Sequence, residues 1–481
     1  MAVIETRLGD FPIMIGGSPR ATDARQELSS PYDGSAIATV HLAAAADVED
    51  AIGRAVRAFE QTRRLASWQR ERVLEQIAEG IAERRDQLAQ TIALEAGKPL
   101  STALGEVDRA VFTFRVAAEE SKRLEGRILA LDWLAGNEGR RAELRPVPLG
   151  PISGITPFNF PLNLVAHKVA PALAAGNPIL LKPAPQTPLT ALALAEIVSA
   201  SDWPADGFAV LPCTNETATP LIEDERIKML SFTGSPGVGW TLKARAGRKR
   251  VTLELGGNAA VIVGADTDVP YAAERIVWGA FTNAGQACIS VQRVYAHTDI
   301  AAQLQSEIVA RTRLLKTGDP LDPATDVGPV IDGRAADRIG AWLAEATAAG
   351  AVVLTGGQRD RNVWQPTVLT DVREDMRVSC EEVFAPLLSL VPFDDVDAAI
   401  AAADTSQFGL QAGIFTNDTR TIERAFDRIE VGGLMVNDVP TFRIDHMPYG
   451  GLKQSGQGRE GVRYAIEEMT QQKLLTINSR P

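Results

Sequence analysis

Cysteine and histidine are scarce in this sequence, and their scarcity narrows the chemistry. Only three cysteines occur in 481 residues, Cys213, Cys288 and Cys380, and none forms a C-x-x-C pair. An odd, sparse set fits a reducing compartment, where a thiol is buried or reactive rather than bridged. The four histidines, His41, His167, His297 and His446, are far apart and lack metal-ligand spacing, so no metal is expected. No uninterrupted apolar run approaches the roughly 18 residues of a membrane-spanning helix, so no membrane partner is expected. The stretch from Met1 to Phe11 carries Glu5, Arg7 and Asp10 and has no apolar core. No secretory signal is therefore expected, and a cytoplasmic location is. Positive charge is in deficit: 49 Lys and Arg against 61 Asp and Glu leave a net charge of −12. That balance disfavours a nucleic-acid partner, although it leaves room for a local basic site for a small anion.

What is present is a globular composition, 45% hydrophobic and 23% charged, in a chain long enough to bury a large core unaided. From Ala66 to Leu100 the sequence reads as amphipathic helix, with Val73, Leu74, Ile77, Ile81, Leu88 and Ile92 at helical spacing and a stop at Gly97 and Pro99. After residue 150 the pattern changes. Short apolar runs appear at Ile152–Ile155, Ile179–Leu181, Phe208–Leu211, Met229–Phe232, Val251–Leu255 and Ala259–Val263, separated in several places by helix-length stretches. This βαβ rhythm predicts a mostly parallel sheet covered by helices. A second alternating series follows, with helical stretches such as Ala301–Leu315 and strand candidates such as Leu387–Val391. Two α/β domains are expected.

Several residues could carry chemistry. Cys288 lies in Phe-Thr-Asn-Ala-Gly-Gln-Ala-Cys-Ile-Ser, after a Gly-containing turn. Such a cysteine either fills core space or acts as a nucleophile, and the second role needs an activating neighbour. Glu254, in Val-Thr-Leu-Glu-Leu-Gly-Gly, is a carboxylate in an apolar strand. Buried there, its pKa would rise toward that of a general base; at a strand end it would simply meet solvent. Asn159 sits between Pro157 and Pro161, which would hold its amide still, as an oxyanion donor must be held, or merely shape a turn. Lys182 ends an apolar strand, the edge at which parallel sheets bind ligands. The turn Phe-Thr-Gly-Ser-Pro-Gly-Val-Gly, from Phe232, could present backbone N–H groups to a phosphate, but it is not G-x-G-x-x-G.

Pro-Phe-Asn-Phe-Pro, Leu-Lys-Pro-Ala, Phe-Thr-Gly-Ser, Leu-Glu-Leu-Gly-Gly, Gly-Gln-Ala-Cys and Glu-Val-Phe-Ala-Pro (from Glu382) occur in this order. Together they resemble the NAD(P)-dependent, non-acylating aldehyde dehydrogenase superfamily over nearly the whole chain. The resemblance implies an α/β fold of two doubly wound domains plus a small bridging β segment used in forming a homodimer or homotetramer. It places the cofactor domain at 1–127 and 147–257, the catalytic domain at 258–456 and the bridging segment at 128–146 and 457–481. It implies that Cys288 attacks an aldehyde, that Asn159 and the Cys288 N–H hold the oxyanion, and that Glu254 activates water to hydrolyse a thioester. NAD or NADP would be bound by Lys182 and Glu382 at its riboses, by Gly234 and Ser235 near the pyrophosphate, with Phe384 on the nicotinamide side and Thr156, Phe158 and Leu255 alongside.

Two departures from the family pattern carry expectations. Alanine at position 385 replaces a usual glycine, so the turn after Phe384 is expected to need no left-handed residue, with ribose contact by Glu382 put in question. Pro185 stands three residues after Lys182, where NAD-preferring members often carry a glutamate, so NADP should be accepted. On the substrate side, Val439–Gly451 is similar to the loop of lactaldehyde-type and semialdehyde-type members. His167 stands where many succinate-semialdehyde enzymes have arginine. Arg443 and His446 could meet a hydroxyl or small anion, although Arg443 could equally pair with a nearby carboxylate such as Asp445. A short hydroxylated or anionic aldehyde, such as lactaldehyde or glycolaldehyde, is expected, with succinate semialdehyde the alternative. Transfer of the thioester to coenzyme A or phosphate is a further alternative, which Glu254 disfavours; so is a protein that kept the fold and lost the chemistry.

Overall fold

The computed structural model describes residues 8–479; Met1–Arg7, and with them most of the segment read for a secretory signal, lie outside the described residues. Five parallel strands, in the order Arg250–Glu254, Met229–Thr233, Ile152–Ile155, Ile179–Lys182 and Phe208–Val210, form the heart of an eight-stranded sheet. Their residues are buried on both faces, apart from the first two of Arg250–Glu254. That explains the near-continuous apolar runs: helices cover both sides. The chain runs outward from Ile152–Ile155 to Phe208–Val210 and then returns to the other side of its starting strand. The switch in direction falls between Ile152–Ile155 and Met229–Thr233, where open α/β sheets form a crevice at the strands' carboxyl ends. In register, Ile155 pairs with Lys182 and Thr233 with Glu254. The sheet edge therefore presents Lys182 and Glu254 together with the turns after Ile155 and Thr233.

A second sheet has seven strands, six of them parallel, in the order Thr367–Thr370, Leu387–Phe393, Val291–His297, Ala259–Val263, Gln411–Phe415 and Gly433–Val436, with Val352–Thr355 antiparallel on one edge. Only four residues, Leu255 to Asn258, separate its first strand from Glu254. The Cys288 loop connects the helix Val269–Phe281 to the strand Val291–His297.

Two expectations about elements need correction. The helix read over Ala66–Leu100 is two helices, Ser67–Glu83 and Arg85–Ala96, broken at Arg84 (φ −99°, ψ 19°). No glycine or proline marks that break, and the apolar spacing carries across it. The predicted stop is present, with Gly97 left-handed at φ 69°. The bridging segment also differs. Arg127–Ala130, Arg140–Pro148 and Thr470–Asn478 form a separate antiparallel sheet. Residues 457–469, in contrast, stay with the first sheet: Gly456–Gln457 pairs with Leu253 and Glu254, and the helix Val462–Glu468 packs on Asn163–Ala175. Apolar Val462 and Ile466 are buried there, which holds that segment in the main core. No helix among the described residues is long and apolar enough to cross a membrane.

Candidate active site

The Cys288 loop begins with an unusual backbone. Asn283, Ala284 and Gly285 are successively left-handed, at φ 52°, 54° and 68°. A left-handed alanine costs roughly 1–2 kcal/mol, so the surrounding packing must impose this turn. Gly285 has no room for a side chain, because a β-carbon there would strike the Ala385 carbonyl. Gly257 is restricted in the same way by the carbonyl of Cys288. The Gly-Gly after Glu254 thus lets the Cys288 loop press onto the segment joining the two sheets.

Cys288, Asn159, Phe160, Trp278, Arg443 and Tyr449 line a cavity of about 430 Å³, together with Glu106 and Arg109 from the helix Leu100–Ser121. The Cys288 sulfur lies 3.0 Å from the Tyr449 hydroxyl. Burial pushes its thiol up to about 12, against the pull of that contact, with Glu382 and Glu254 adding to the rise and Arg443 opposing it. Asn159 is buried, and its amide donates one hydrogen bond to the Gln286 carbonyl at 2.9 Å. Its orientation is thereby fixed, as the flanking prolines led one to expect. One of its two amide hydrogens is committed to the loop and the other remains.

Glu254 is 2% exposed and neither carboxylate oxygen has a hydrogen-bond partner among the described residues. Burial, reinforced by the charge of Glu460, raises its pKa well above the ordinary carboxylate value. Glu460 is held in the opposite state. Burial disfavours its charge, but Lys168 donates to it at 3.1 Å and Arg443 at 3.3 Å, which keeps it ionised. Two buried carboxylates are thus held in opposite states, Glu460 charged and Glu254 with a raised proton affinity, the direction that suits a general base.

Of the expected cofactor residues, Thr156, Phe158, Lys182, Gly234 and Ser235 lie at or just after the carboxyl ends of the first sheet's strands, Leu255 lies in the segment joining the two sheets, and Glu382 and Phe384 precede the strand Leu387–Phe393 of the second. Lys182 is 5% exposed, and its ammonium has no hydrogen bond or ion pair among the described residues; burial lowers its pKa. Ser235 caps the helix Pro236–Arg245 without using its side chain for the purpose, so the N-terminal N–H groups stay open. Gly239 lets that helix pack tightly on Leu255, which a β-carbon would hit. Thr156 donates its backbone N–H to the Lys182 carbonyl at 3.2 Å. Phe158 and Phe384 meet edge to face at 6.0 Å. Gly234 is buttressed by Phe232, whose ring a β-carbon would approach to 2.6 Å. Glu382 accepts from the Gly257 N–H at 2.9 Å, and burial raises its pKa to about 7. The turn after Glu382 does contain a left-handed residue, contrary to expectation, but it is Phe384 (φ 50°) and not Ala385. The strain has moved one residue back, which is why alanine is tolerated.

The substrate-side expectations fare unevenly. Arg443 lines the cavity, and its carboxylate partner is Glu460 rather than Asp445. His167 does not line it. The ring is 1% exposed behind Arg443, with Nε2 2.8 Å from Asp445 Oδ1. His446 is exposed, packs edge-on against Phe112 and is absent from the cavity wall. Of the two residues between them in the chain, Ile444 is exposed and Asp445 is buried, so inward and outward side chains alternate and the loop turns Arg443 inward and His446 outward. Sequence reasoning missed Arg109, which donates to both oxygens of Asp445 at 3.1 and 2.6 Å. It also missed Lys168, Glu460 and Tyr449, and named Asp445 only as a partner for Arg443. Among the described residues no cluster of three or more His, Cys, Asp or Glu could hold a metal ion.

Residues 19–475 match the family model described as "Aldehyde dehydrogenase family". A 3-sulfolactaldehyde dehydrogenase of Priestia aryabhattai is 41% identical over 474 residues, covering 98% of this chain and 99% of that protein. Aldehyde dehydrogenase 21 of Physcomitrella patens, solved with its reaction product succinate, superposes with a TM-score of 0.96 at 41% identity, covering 98% of each chain. The glyceraldehyde-3-phosphate dehydrogenase GapN of Methanocaldococcus jannaschii, solved with NADP, gives 0.91 at 35% identity, covering 95% of this chain and 100% of that one. With residues 19–475 matched by the family model and relatives of about 40% identity aligned over nearly all of both chains, the chain belongs to the aldehyde dehydrogenase family.

Proposed function

We propose that this protein oxidises a short aldehyde with an anionic or hydroxylated tail to the carboxylic acid, using NADP or NAD. The observation that carries the reading is that Cys288 shares one cavity with two guanidinium groups, Arg109 and Arg443. Glu106, also on the wall, is neutralised by the fully buried Lys98, and Asp445 offsets Arg109. Arg443 and Lys168 share the single carboxylate of Glu460, so one positive charge is left over, with Arg443 on the wall of a largely apolar space, which suits a small anion. The three relatives described above carry sulfolactaldehyde, succinate or glyceraldehyde 3-phosphate in their names or complexes, all of them anionic. Lactaldehyde and glycolaldehyde remain candidates through their hydroxyl groups, and succinate semialdehyde through its carboxylate.

In this reading the Cys288 sulfur adds to the aldehyde carbonyl, and the oxyanion is held by the free Asn159 amide hydrogen and the Cys288 N–H. A nicotinamide held by Lys182, Glu382 and the turn at Gly234 and Ser235 would supply the hydride acceptor needed to take the adduct to a thioester. Glu254 then takes a proton from water as it attacks that thioester, releasing the acid and the free thiol. Because Glu254 keeps this hydrolytic role, passage of the acyl group to coenzyme A is disfavoured. Lys182, the open N-terminus after Ser235 and Glu382 fit a dinucleotide: an unpaired ammonium on a largely buried side chain and free N–H groups both call for an anionic or hydroxylated partner. The test is NAD(P)H formation across a panel of aldehydes with and without added coenzyme A. Absence of reduced cofactor with every aldehyde, or strict dependence on coenzyme A, would overturn it.

Cofactor choice follows from Pro185, which offers no carboxylate to repel a 2′-phosphate near Lys182. Pro185→Glu is expected to move the ratio of kcat/KM toward NAD by about tenfold or more, since like charges in close contact cost more than about 1.4 kcal/mol. An unchanged ratio would locate selectivity elsewhere.

Substrate choice should rest on Arg443. Arg443→Ala is expected to raise KM for the preferred anionic aldehyde by roughly 10- to 100-fold, the scale of a lost charge-assisted hydrogen bond. Propanal, with no polar handle, should respond far less. Equal responses would mean that Arg443 only supports the loop through Glu460.

We also read the three-stranded sheet as the homo-oligomer contact. Ile128 is 76% exposed, and Trp133, Leu134, Leu474 and Leu475 are exposed beside it, an apolar surface of the kind that interfaces cover.

A further inference from the structure

Tyr449 touches the nucleophile itself, and the reaction scheme above makes no use of the contact. It is buried, its hydroxyl is 3.0 Å from Cys288 Sγ, and the Arg443 guanidinium carbon lies 3.6 Å from the centroid of its ring. A cation on the face of an aromatic ring draws electron density from it, which makes a phenolic O–H a better donor. Resting on the reading of Cys288 as nucleophile, we propose that Tyr449 is a further catalytic residue, whose hydroxyl donates a hydrogen bond to the Cys288 thiolate and is strengthened as a donor by Arg443 stacked on its ring.

The direction of the bond follows from the proton inventory. A thiolate carries no hydrogen, so once Cys288 ionises only the phenol can donate. Burial and the neighbouring thiol hold the Tyr449 phenol well above its ordinary range, so it keeps its proton. The charged groups facing Cys288 are Glu382, Arg443 and Glu254, and those facing Tyr449 are Arg443 and Glu254. The carboxylates oppose a thiolate; Arg443 and the phenol are what favour it. Tyr449 transfers no proton. The thiol proton leaves to a base, the S–C bond forms as the carbonyl π bond breaks, and the electron pair moves to the oxyanion. The phenol then faces a neutral thioether sulfur, so its bond is strongest before attack.

The test is the rate of Cys288 alkylation by iodoacetamide in the full-length protein, read by peptide mass spectrometry so that Cys213 and Cys380 are scored separately. A hydrogen bond to a charged group is worth about one to two pKa units. A less basic thiolate is also less reactive, with a Brønsted slope of about 0.4–0.5. Tyr449→Phe is therefore expected to react about 3- to 10-fold more slowly at each pH from 6 to 9. Placing 3-fluorotyrosine at position 449, a more acidic phenol of nearly the same shape, should make the reaction faster than in the wild type. An unchanged or faster rate in Tyr449→Phe, or an equal slowing in both variants, would overturn the proposal and leave Tyr449 as packing. Full dehydrogenase activity in Cys288→Ser would instead overturn the reading on which it rests.

Discussion

Cys288→Ser is expected to lose roughly 10⁴-fold or more in aldehyde oxidation, the scale on which removal of a covalent nucleophile acts, while still binding the nicotinamide cofactor. The substitution is nearly isosteric, and the left-handed turn Asn283–Gly285 and the Gly257 approach to the Cys288 carbonyl involve the backbone alone. The cavity should therefore survive. A serine hydroxyl ionises far less readily than a thiol, and the Tyr449 contact cannot make up that difference. Cys380 is exposed, and Cys213 is buried in a separate core cluster near Lys182; neither lines the Cys288 cavity, so alanine at either position should cost far less than Cys288→Ser, with any effect at Cys213 falling on cofactor binding. The measurement is steady-state NAD(P)H formation beside cofactor binding by fluorescence quenching. Substantial activity in Cys288→Ser, or a comparable loss in Cys213→Ala, would move the nucleophile elsewhere.

Glu254→Gln should separate the two halves of the reaction. Removing a general base slows its step by about 10²–10⁴-fold, and here that step is hydrolysis of the thioester. Rapid mixing with aldehyde and cofactor should give a burst of reduced cofactor followed by a slow steady state, whereas the wild type shows no such contrast. The pH dependence has a definite sign. The charged form is the base, and burial with the nearby Glu460 raises the Glu254 pKa. Hydrolysis should thus fall as pH drops through a midpoint well above 4.5, the ordinary glutamate value, and this limb should vanish in the Gln variant. A missing burst with unimpaired Cys288 alkylation would assign Glu254 to the first half-reaction.

Those two residues could be read from the sequence because each lies in a contiguous motif whose local chemistry is unusual. A glutamate in an apolar strand before two glycines, and a lysine ending another, mark the carboxyl edge of a parallel sheet without any tertiary information. The parallel strands were legible for the same reason: burial on both faces writes itself as short apolar runs. Arg109 was not legible. It lies on an ordinary amphipathic helix, and only folding brings it to Asp445, 336 residues along the chain. Glu460 and Lys168 likewise meet across 292 residues. His446 was misread because a loop gives no periodicity from which to tell inward from outward. The strand Gly456–Gln457 has two residues, too few for any pattern to register.

That short strand bears on how the molecule is assembled. The first sheet starts early in the chain, yet its edge beside Glu254 is closed by Gly456–Gln457, the counter-charge of Lys168 arrives with Glu460, and the arm strand Arg140–Pro148 pairs with Thr470–Asn478. During synthesis, then, the whole second sheet emerges from the ribosome before the first is finished. Such long-range closure implies high contact order and slow folding. A nascent chain must keep the Lys168 ammonium and one strand edge uncovered until residues 456–478 have emerged, which makes that segment the final latch on the first sheet.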